Sequence, residues 1–132
     1  MVLLVDDDPT TNFLHRRAIR KVVEGMPVRE ALNGQEALDL LRASIARGES
    51  PPDIIFLDIS MPHLDGWGFL EGYRELPPDW RSGSRVFMLT TSLNPDDYDR
   101  ARTYDDVIDV LDKILTRERF RALLEGTGLE VQ

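Results

Sequence analysis

Three aspartates that follow apolar runs are the residues of this sequence best placed to do chemistry. Asp6 and Asp7 come directly after VLLV, and Asp58 comes directly after IIFL. Asp6 and Asp7 alone could be solvated turn residues, but Asp58 closes an apolar run, where an uncompensated charge is costly. Carboxylates at the ends of parallel strands also meet at one edge of a sheet. Gathered carboxylates repel one another and stay ionised together only when a cation lies among them. We therefore predict an acidic site for a hard divalent ion with oxygen ligands, Mg²⁺ above all.

Two further polar residues end apolar runs later in the chain. Thr90 ends VFMLT and Lys113 ends VIDVLDK. Singly, Thr90 could be an ordinary strand residue and Lys113 a surface lysine. Beside a carboxylate–Mg²⁺ centre, however, a hydroxyl and an ammonium are suited to bind the oxygens of a phosphoryl group. Asp58 is then expected to act as a nucleophile and form an aspartyl-phosphate.

The third member of the acidic run, Asp8, has a structural explanation. An aspartate before a proline is a good helix N-cap followed by a favourable first helical residue. We therefore expect Asp8 and Pro9 to begin the first helix, which leaves Asp6 and Asp7 for the site.

Five strand–helix units must position these residues. Short apolar runs alternate with amphipathic stretches, and in the first of these we expect Leu14, Ala18 and Val22 to face the core. Such alternation favours parallel pairing, so we predict an α/β, flavodoxin-like doubly wound (βα)5 fold with a five-stranded parallel sheet of order 2-1-3-4-5. The predicted strands are Val2–Val5, Val28–Ala31, Ile54–Leu57, Val86–Leu89 and Val107–Leu111. The predicted helices are Pro9–Val23, Gly34–Arg47, Trp67–Leu76, one beginning at Asn94-Pro95, and Thr116–Glu125, with Leu76–Ser84 as a loop.

The composition excludes several classes of protein. The 132 residues fit one domain, placed at residues 1–126 with 127–132 as a C-terminal tail. Cysteine is absent, which excludes disulfides and thiolate metal sites, and a net charge of −8 argues against nucleic-acid binding. No apolar run is long enough to span a membrane and the N-terminus does not resemble a signal peptide, so we expect a cytoplasmic protein.

With these residues laid out, the chain resembles the receiver domain of two-component response regulators over nearly its whole length. The segments LLVDDDP, PDIIFLDISMPHLDGWGFL and FMLTTS carry the resemblance, and the D-x-x-M-P-x-x-D-G spacing is highly specific. The resemblance implies that Asp58 is the phosphoacceptor and that Mg²⁺ is bound by Asp6, Asp7, Asp58 and the backbone carbonyl of Ser60. It also implies that Thr90 supplies the switch hydroxyl and that the ammonium of Lys113 binds the phosphoryl group.

Three positions depart from the family's pattern. Ile114 follows Lys113 where the family usually has a proline after a cis peptide bond, so we expect the loop after the fifth strand to differ. Val110 stands where the family often has an aromatic residue that turns inward on activation, which places aromatic coupling to Thr90 in doubt. Thr91 is bulkier than the residue that usually follows the switch hydroxyl.

We therefore predict a stand-alone receiver domain, not an enzyme, that takes a phosphoryl group onto Asp58 from a histidine kinase or a histidine phosphotransfer protein. It is expected to signal through an unknown downstream protein or a phosphorelay. The basic residues Arg16, Arg17, Arg20 and Lys21 of the first helix form either a solvated face or a docking surface. A homodimer through the face of the fourth and fifth predicted helices is a further possibility.

Two other functions stay open. A pseudo-receiver would bind partners without being phosphorylated, and Val110 and Ile114 leave room for it. A Mg²⁺-dependent phosphatase with an aspartyl nucleophile is disfavoured, because Asp58-Ile59-Ser60 lacks the second carboxylate that would act as a general acid.

A few residues outside the motif also carry expectations. His15 is predicted to face solvent or pack at an edge of the first helix, and His63 to be a loop residue beside the site; neither has the company of a zinc site. Trp67 and Trp80 are expected to be packing or loop residues. Ser60 and Ser92 are small enough to admit a water that attacks the phosphoryl group.

Overall fold

A five-stranded parallel sheet forms the centre of the computed structural model, which describes residues 1–91 and 94–127. The strand order is the predicted 2-1-3-4-5, and the doubly wound fold is confirmed. The strands are β1 (Val2–Val5), β2 (Val28–Ala31), β3 (Ile54–Asp58), β4 (Arg85–Thr90) and β5 (Val107–Asp112). The helices are α1 (Pro9–Val22), α2 (Gly34–Ala46), α3 (Gly66–Tyr73), α4 (Pro78–Arg81), α5 (Pro95–Ala101) and α6 (Arg117–Thr127).

The strand register brings the ends of four strands to one edge of the sheet. Val5 of β1 pairs with Leu57 of β3, so the residues that follow them are neighbours. Asp58 pairs with Leu89 of β4, which Thr90 follows. Because every strand runs in the same direction, the polar residues that end β1, β3, β4 and β5 share this edge.

Two apolar layers, one on each face of the sheet, hold it in place. On one face, side chains of β1 and β3 such as Leu3 and Ile55 pack with α2, α3 and α5. On the other face, Phe56 of β3 and Phe120 of α6 meet with ring centroids 6.1 Å apart, and Ile19 of α1 joins them. β1 and β3 are buried along their whole length, as expected of strands covered on both faces.

The buried face of α1 differs from the predicted one. Leu14 is 37% exposed, whereas Asn12, His15 and Ile19 are buried. Val22 packs against the apolar layer as predicted and Ala18 is half-buried, but the prediction that Leu14 faces the core was wrong. It assumed that the buried positions of a helix are apolar, but part of this face lies against polar backbone at the edge of the sheet.

The predicted loop Leu76–Ser84 contains a short helix, α4. Pro77 and Pro78 come directly after the end predicted for the third helix, but a proline is also favoured at the first position of a helix. Arg81 of α4 forms an ion pair with Asp106 at 2.8 Å, and the Trp80 indole donates to the carbonyl of Glu49 at 2.9 Å. These contacts attach the segment that was predicted as a loop to the rest of the fold.

The remaining boundaries agree to within a few residues. α6 continues to Thr127, past the predicted end at Glu125. Most of the predicted tail, 128–132, lies outside the described residues, so the division into domain and tail stays a prediction. Within the part of the chain that the structure describes, none of the helices is both long and apolar enough to cross a bilayer.

Candidate functional site

Three carboxylates meet at the edge of the sheet where β1 and β3 end. Oxygens of Asp6, Asp7 and Asp58 lie within 4.8 Å of one another. Asp6 and Asp58 are buried, at 3% and 7% exposure, and Asp7 is exposed, so the cluster opens to solvent on one side. The spacing and the hard oxygen donors fit a divalent ion such as Mg²⁺.

Lys113, which follows β5, reaches into this cluster. Its Nζ lies 2.6 Å from Asp6 Oδ2 and 3.1 Å from Asp58 Oδ1. Burial disfavours the ammonium, but the contacts with Asp6 and Asp58 outweigh burial and raise the pKa of Lys113 above its ordinary value. The lysine is therefore a fixed positive charge between two of the three carboxylates.

Asp58 is a carboxylate in a poorly solvated position. Burial raises the pKa of its carboxyl above the ordinary value; Lys113 acts in the opposite direction, while Asp6 and Asp7 add to the rise. A carboxylate that is held among charges and short of water is more reactive toward an electrophile than a fully hydrated one. The arrangement can therefore present Asp58 as a nucleophile.

The two other predicted site residues lie at the same edge. Thr90 is buried at the end of β4, and its carbonyl accepts a hydrogen bond of 2.9 Å from the backbone N–H of Lys113. Ser60 is exposed in the loop between β3 and α3, two residues beyond Asp58. The structure therefore brings Asp6, Asp7, Asp58 and Lys113 into one cluster and places Thr90 and Ser60 on its border.

Asp8 lies outside the cluster and caps α1. Its carboxylate accepts from the N–H of Thr10 at 3.0 Å and from the hydroxyl of Thr11 at 2.9 Å. The hydrogen bond from the Thr11 hydroxyl, followed by that from Thr10, lowers the pKa of Asp8. This is the structural role that the Asp-Pro pair predicted.

The start of α3 packs directly against the backbone of Asp58. The N–H of Gly66 donates to the carbonyl of Ile59 at 2.9 Å. A Cβ at position 66 would lie 2.6 Å from the carbonyl oxygen of Asp58 and 3.0 Å from the Cα of Ile59. Only glycine at position 66 permits this close approach.

Two residues near the site were missed by the sequence analysis. His15, predicted at solvent or at an edge, is 1% exposed, and its Nε2 accepts from the N–H of Leu115 at 3.1 Å. Asn12 is fully buried, and its Nδ2 donates to the carbonyl of Asp6 at 3.0 Å. Both residues lie on a buried polar face of α1. Apolar periodicity, by which buried helix faces are predicted, does not reveal such a face.

Comparison with known proteins decides the family. The response regulator receiver domain matches residues 2–125 of the chain. The chain belongs to the response regulator receiver domain family. Receiver domains are signalling modules of two-component systems, and phosphorylation of an aspartate is general among them.

Individual relatives cover this receiver domain to different extents. A two-component response regulator of Arabidopsis thaliana is 30% identical over 123 residues, which are 93% of this chain and 80% of that protein. A protein-glutamate methylesterase/protein-glutamine glutaminase of Treponema pallidum is 36% identical over 110 residues, 74% of this chain but 25% of that protein. The chain thus spans about a quarter of the Treponema protein's length.

A solved structure supports the same fold for this receiver domain. The two component response regulator from Cytophaga hutchinsonii has a TM-score of 0.87 at 31% identity, covering 98% of this chain and 96% of that chain.

The receiver domain keeps one backbone feature of the family and lacks one side chain. The Lys113–Ile114 peptide bond is cis, although isoleucine stands in place of the usual proline, so the difference expected in the loop after β5 is not found at this bond. Val110 is buried and has no ring to turn inward; its carbonyl instead accepts from the hydroxyl of Tyr98 on α5 at 3.3 Å. Thr91 is exposed, and Ser92, for which a role in water access was predicted, lies outside the described residues.

The other aromatic and histidine expectations agree with the structure. His63 is an exposed loop residue with a φ of 67°. Trp67 is buried, and its ring is covered by the guanidinium of Arg100 at 4.5 Å and stacked on Tyr104 at 6.0 Å. Trp67 therefore joins α3 to α5 and to the segment that follows it.

Proposed function

We propose that this receiver domain accepts a phosphoryl group on Asp58 from a phosphohistidine of a kinase or phosphotransfer protein. The observation that carries the proposal is the ammonium of Lys113 between Asp6 and Asp58, beside a third carboxylate. One oxygen of Asp58 attacks phosphorus, the bond from phosphorus to the imidazole nitrogen breaks, and the electron pair stays on that nitrogen. The other nitrogen of the donor's imidazole carries a proton throughout, so the products are an acyl phosphate on Asp58 and a neutral histidine on the donor.

Asp6, Asp7, Asp58 and the backbone carbonyl of Ser60 would hold Mg²⁺. When bound, the ion neutralises charge that develops on the phosphoryl oxygens. Lys113 supplies a second positive charge and needs only a small movement to pair with a phosphoryl oxygen in place of a carboxylate. The buried hydroxyl of Thr90 is the group proposed to respond to the new charge of about −1.5 to −2.

Intact-protein mass spectrometry tests the chemistry. The protein is incubated with phosphoramidate, with and without Mg²⁺. We expect a mass gain of one phosphoryl group that depends on Mg²⁺ and is absent in Asp58→Asn. Asp79→Asn, at an exposed aspartate of α4, is the matched control and should react like the wild type. A gain that persists in Asp58→Asn would contradict the assignment of the acceptor.

Two surfaces are proposed for partners. On α1, Phe13 is 57% exposed among Arg17, Arg20 and Lys21, and this apolar and basic surface suits an acidic kinase or phosphotransfer partner. Phe13→Ala with Arg17→Glu should slow transfer from the phosphorylated partner but not from phosphoramidate.

The face formed by α5, β5 and α6, which corresponds to the fourth and fifth predicted helices, is the proposed output and dimer surface. Sedimentation before and after phosphorylation tests the dimer.

A phosphorylation-independent binding module is the second candidate, and Val110 is the observation that favours it. A switch that relied on an aromatic ring there could not operate in this chain. Absence of both the mass gain and Mg²⁺ binding in the wild type would favour this second function.

A further inference from the structure

The buried face of α1 is polar where it lies below the acidic cluster. Asn12 and His15 are 0% and 1% exposed and stand three residues apart, so they lie on one side of the helix. Buried polar groups destabilise a fold unless they are hydrogen-bonded. Each of these side chains bonds to the backbone of a segment that carries a site residue: Asn12 to Asp6, and His15 to Leu115.

The bond to His15 completes the attachment of the turn that carries Lys113. On one side, the N–H of Lys113 itself donates to the carbonyl of Thr90 at 2.9 Å. On the other side, the N–H of Leu115 donates to His15 Nε2 at 3.1 Å. The backbone of Lys113 is therefore fixed to β4 before the lysine and to α1 after it.

This attachment matters because the lysine side chain works at short range. Its Nζ lies 2.6 Å from Asp6 and 3.1 Å from Asp58, and a shift of the turn by about 1 Å would break both contacts. Asn12 acts on the partner side of the same contact, since it holds the backbone of Asp6. One helix face thus sets the distance between the ammonium and the carboxylates.

We propose that His15 is a positioning residue for phosphoryl transfer, which holds Lys113 against Asp58 through the Leu115 amide, with Asn12 as its counterpart at Asp6. The inference rests on the proposed function and deepens it. His15 touches neither the phosphoryl group nor Asp58; it acts through the backbone of the turn.

Two substitutions at position 15 separate the hydrogen bond from the packing. His15→Phe keeps a planar ring but has no acceptor for the Leu115 N–H, whereas His15→Gln offers an amide oxygen. With phosphoramidate at saturating Mg²⁺, we expect His15→Phe to slow phosphorylation about tenfold and His15→Gln to recover most of the rate. Amide hydrogen exchange of Leu115, followed by NMR without any phosphodonor, should be fast in His15→Phe and slow in His15→Gln.

Ile19→Val is the matched control. Ile19 is fully buried one turn further along α1, and its apolar side chain packs in the layer that contains Phe56 and Phe120 and makes no hydrogen bond to the Lys113 turn. This variant should lower stability without changing the phosphorylation rate. Asn12→Leu is a second test, which should slow the reaction even if His15→Phe folds poorly.

The outcomes distinguish this inference from the function on which it rests. If the wild type gains no phosphoryl group, both are overturned. If the wild type reacts and folded His15→Phe and Asn12→Leu react equally fast, only the positioning role is overturned. Equal slowing by His15→Phe, His15→Gln and Ile19→Val would likewise reduce His15 to a packing residue.

Discussion

Lys113 carries a positive charge into the place where a divalent cation is proposed to bind. Its Nζ is within 3.1 Å of two of the three clustered carboxylates. The lysine therefore stabilises the carboxylates when no metal is present, and we expect it to compete with a bound metal ion. In the proposed reaction its charge would have a second use, the attraction of phosphoryl oxygens.

Lys113→Met should separate these two effects. Removing the competing ammonium should tighten Mg²⁺ binding roughly fivefold or more, since charges at this distance interact by more than about 1 kcal/mol even in partly solvated sites. Phosphorylation by phosphoramidate should slow by about 10² or more, because a charge that stabilises the transition state is lost. Isothermal titration calorimetry and mass spectrometry measure the two quantities.

Lys21→Met, at an exposed lysine of α1, is the control for the loss of a positive charge. Weaker Mg²⁺ binding in Lys113→Met would show that the lysine organises the carboxylates and does not compete with the ion.

At the level of single residues, the sequence was sufficient where a side chain follows a strand. Asp6, Asp58 and Lys113 could be grouped because strand ends are marked by apolar runs and parallel strands end at one edge. His15 and Asn12 could not be found in this way. Their bonding partners are backbone groups of Leu115 and Asp6, and no side-chain pattern reports a backbone group that needs a partner.

The cap of α1 illustrates how one element separates structural from chemical aspartates. Asp8→Ala should lower the urea midpoint of unfolding, because the N–H of Thr10 and the hydroxyl of Thr11 lose their acceptor. Asp8→Asn, which retains a capping oxygen, should restore most of the loss. Both variants should take up a phosphoryl group at the wild-type rate. A large loss of Mg²⁺ affinity in Asp8→Asn would place Asp8 in the metal site instead.

The contact between α3 and α5 offers an optical report on the switch. Trp67 lies between the guanidinium of Arg100 and the ring of Tyr104. Since α5 follows β4 and Thr90 closely, a response of Thr90 to the phosphoryl group should move α5 and change the surroundings of the indole. In Trp80→Phe, where Trp67 is the remaining tryptophan, we expect phosphorylation to change the fluorescence intensity.

The control for this measurement is the double variant with Asp58→Asn, whose fluorescence should not respond. Arg100→Ala should change the emission without phosphorylation and destabilise the fold by about 0.5–1 kcal/mol, the value of an exposed cation–π contact. Unchanged emission in a sample that mass spectrometry shows to be phosphorylated would exclude movement of α5 at this contact.

Elements were predicted well where propensity and burial agree, and poorly where they do not. The strands β1 and β3 are uninterrupted apolar runs buried on both faces, so their assignment was secure. The helix α4 was not predicted, because Pro77 and Pro78 can end one helix as well as begin another. Its position depends on the long-range contacts of Trp80 and Arg81, which no local pattern contains.

The stability of the whole molecule should depend on the protonation of His15. Burial lowers its pKa to about 4, with Asp6 opposing the shift and Lys113 adding to it. The folded protein therefore resists a proton that the unfolded chain takes up near its ordinary pKa of 6.5. Stability from the neutral histidine is complete above pH 6.5 and is lost as the pH falls toward 4, by up to about 1.4 kcal/mol per pH unit.

Urea unfolding at several pH values between 4 and 7 measures this dependence, with His15→Gln as the comparison. The wild type should lose stability more steeply than the variant on acidification. Asp58 acts in the opposite direction, because its raised pKa lets the folded state gain a proton first. The difference between the two proteins isolates the histidine, and identical slopes would contradict its burial in the neutral form.

At the scale of the molecule, the topology could be predicted from the alternation of strands and helices. The buried polar face of α1 could not. Right-handed crossovers and short connections leave few arrangements for five such units. The same rules say nothing about which side chains satisfy the backbone at the sheet edge, so the polar face of α1 had to be observed.

The close approach of Gly66 to the backbone of Asp58 has a consequence for mutational tolerance. Saturation mutagenesis should find no acceptable replacement at position 66, because even a methyl group would meet backbone atoms of Asp58 and Ile59. Gly48 has a φ of 72° and open space around it, so asparagine should be accepted there. Folding and phosphorylation can be scored separately for every variant. Substitutions at position 48 should then be limited only by the backbone conformation that they allow, and substitutions at position 66 by the shape of the loop that follows Asp58.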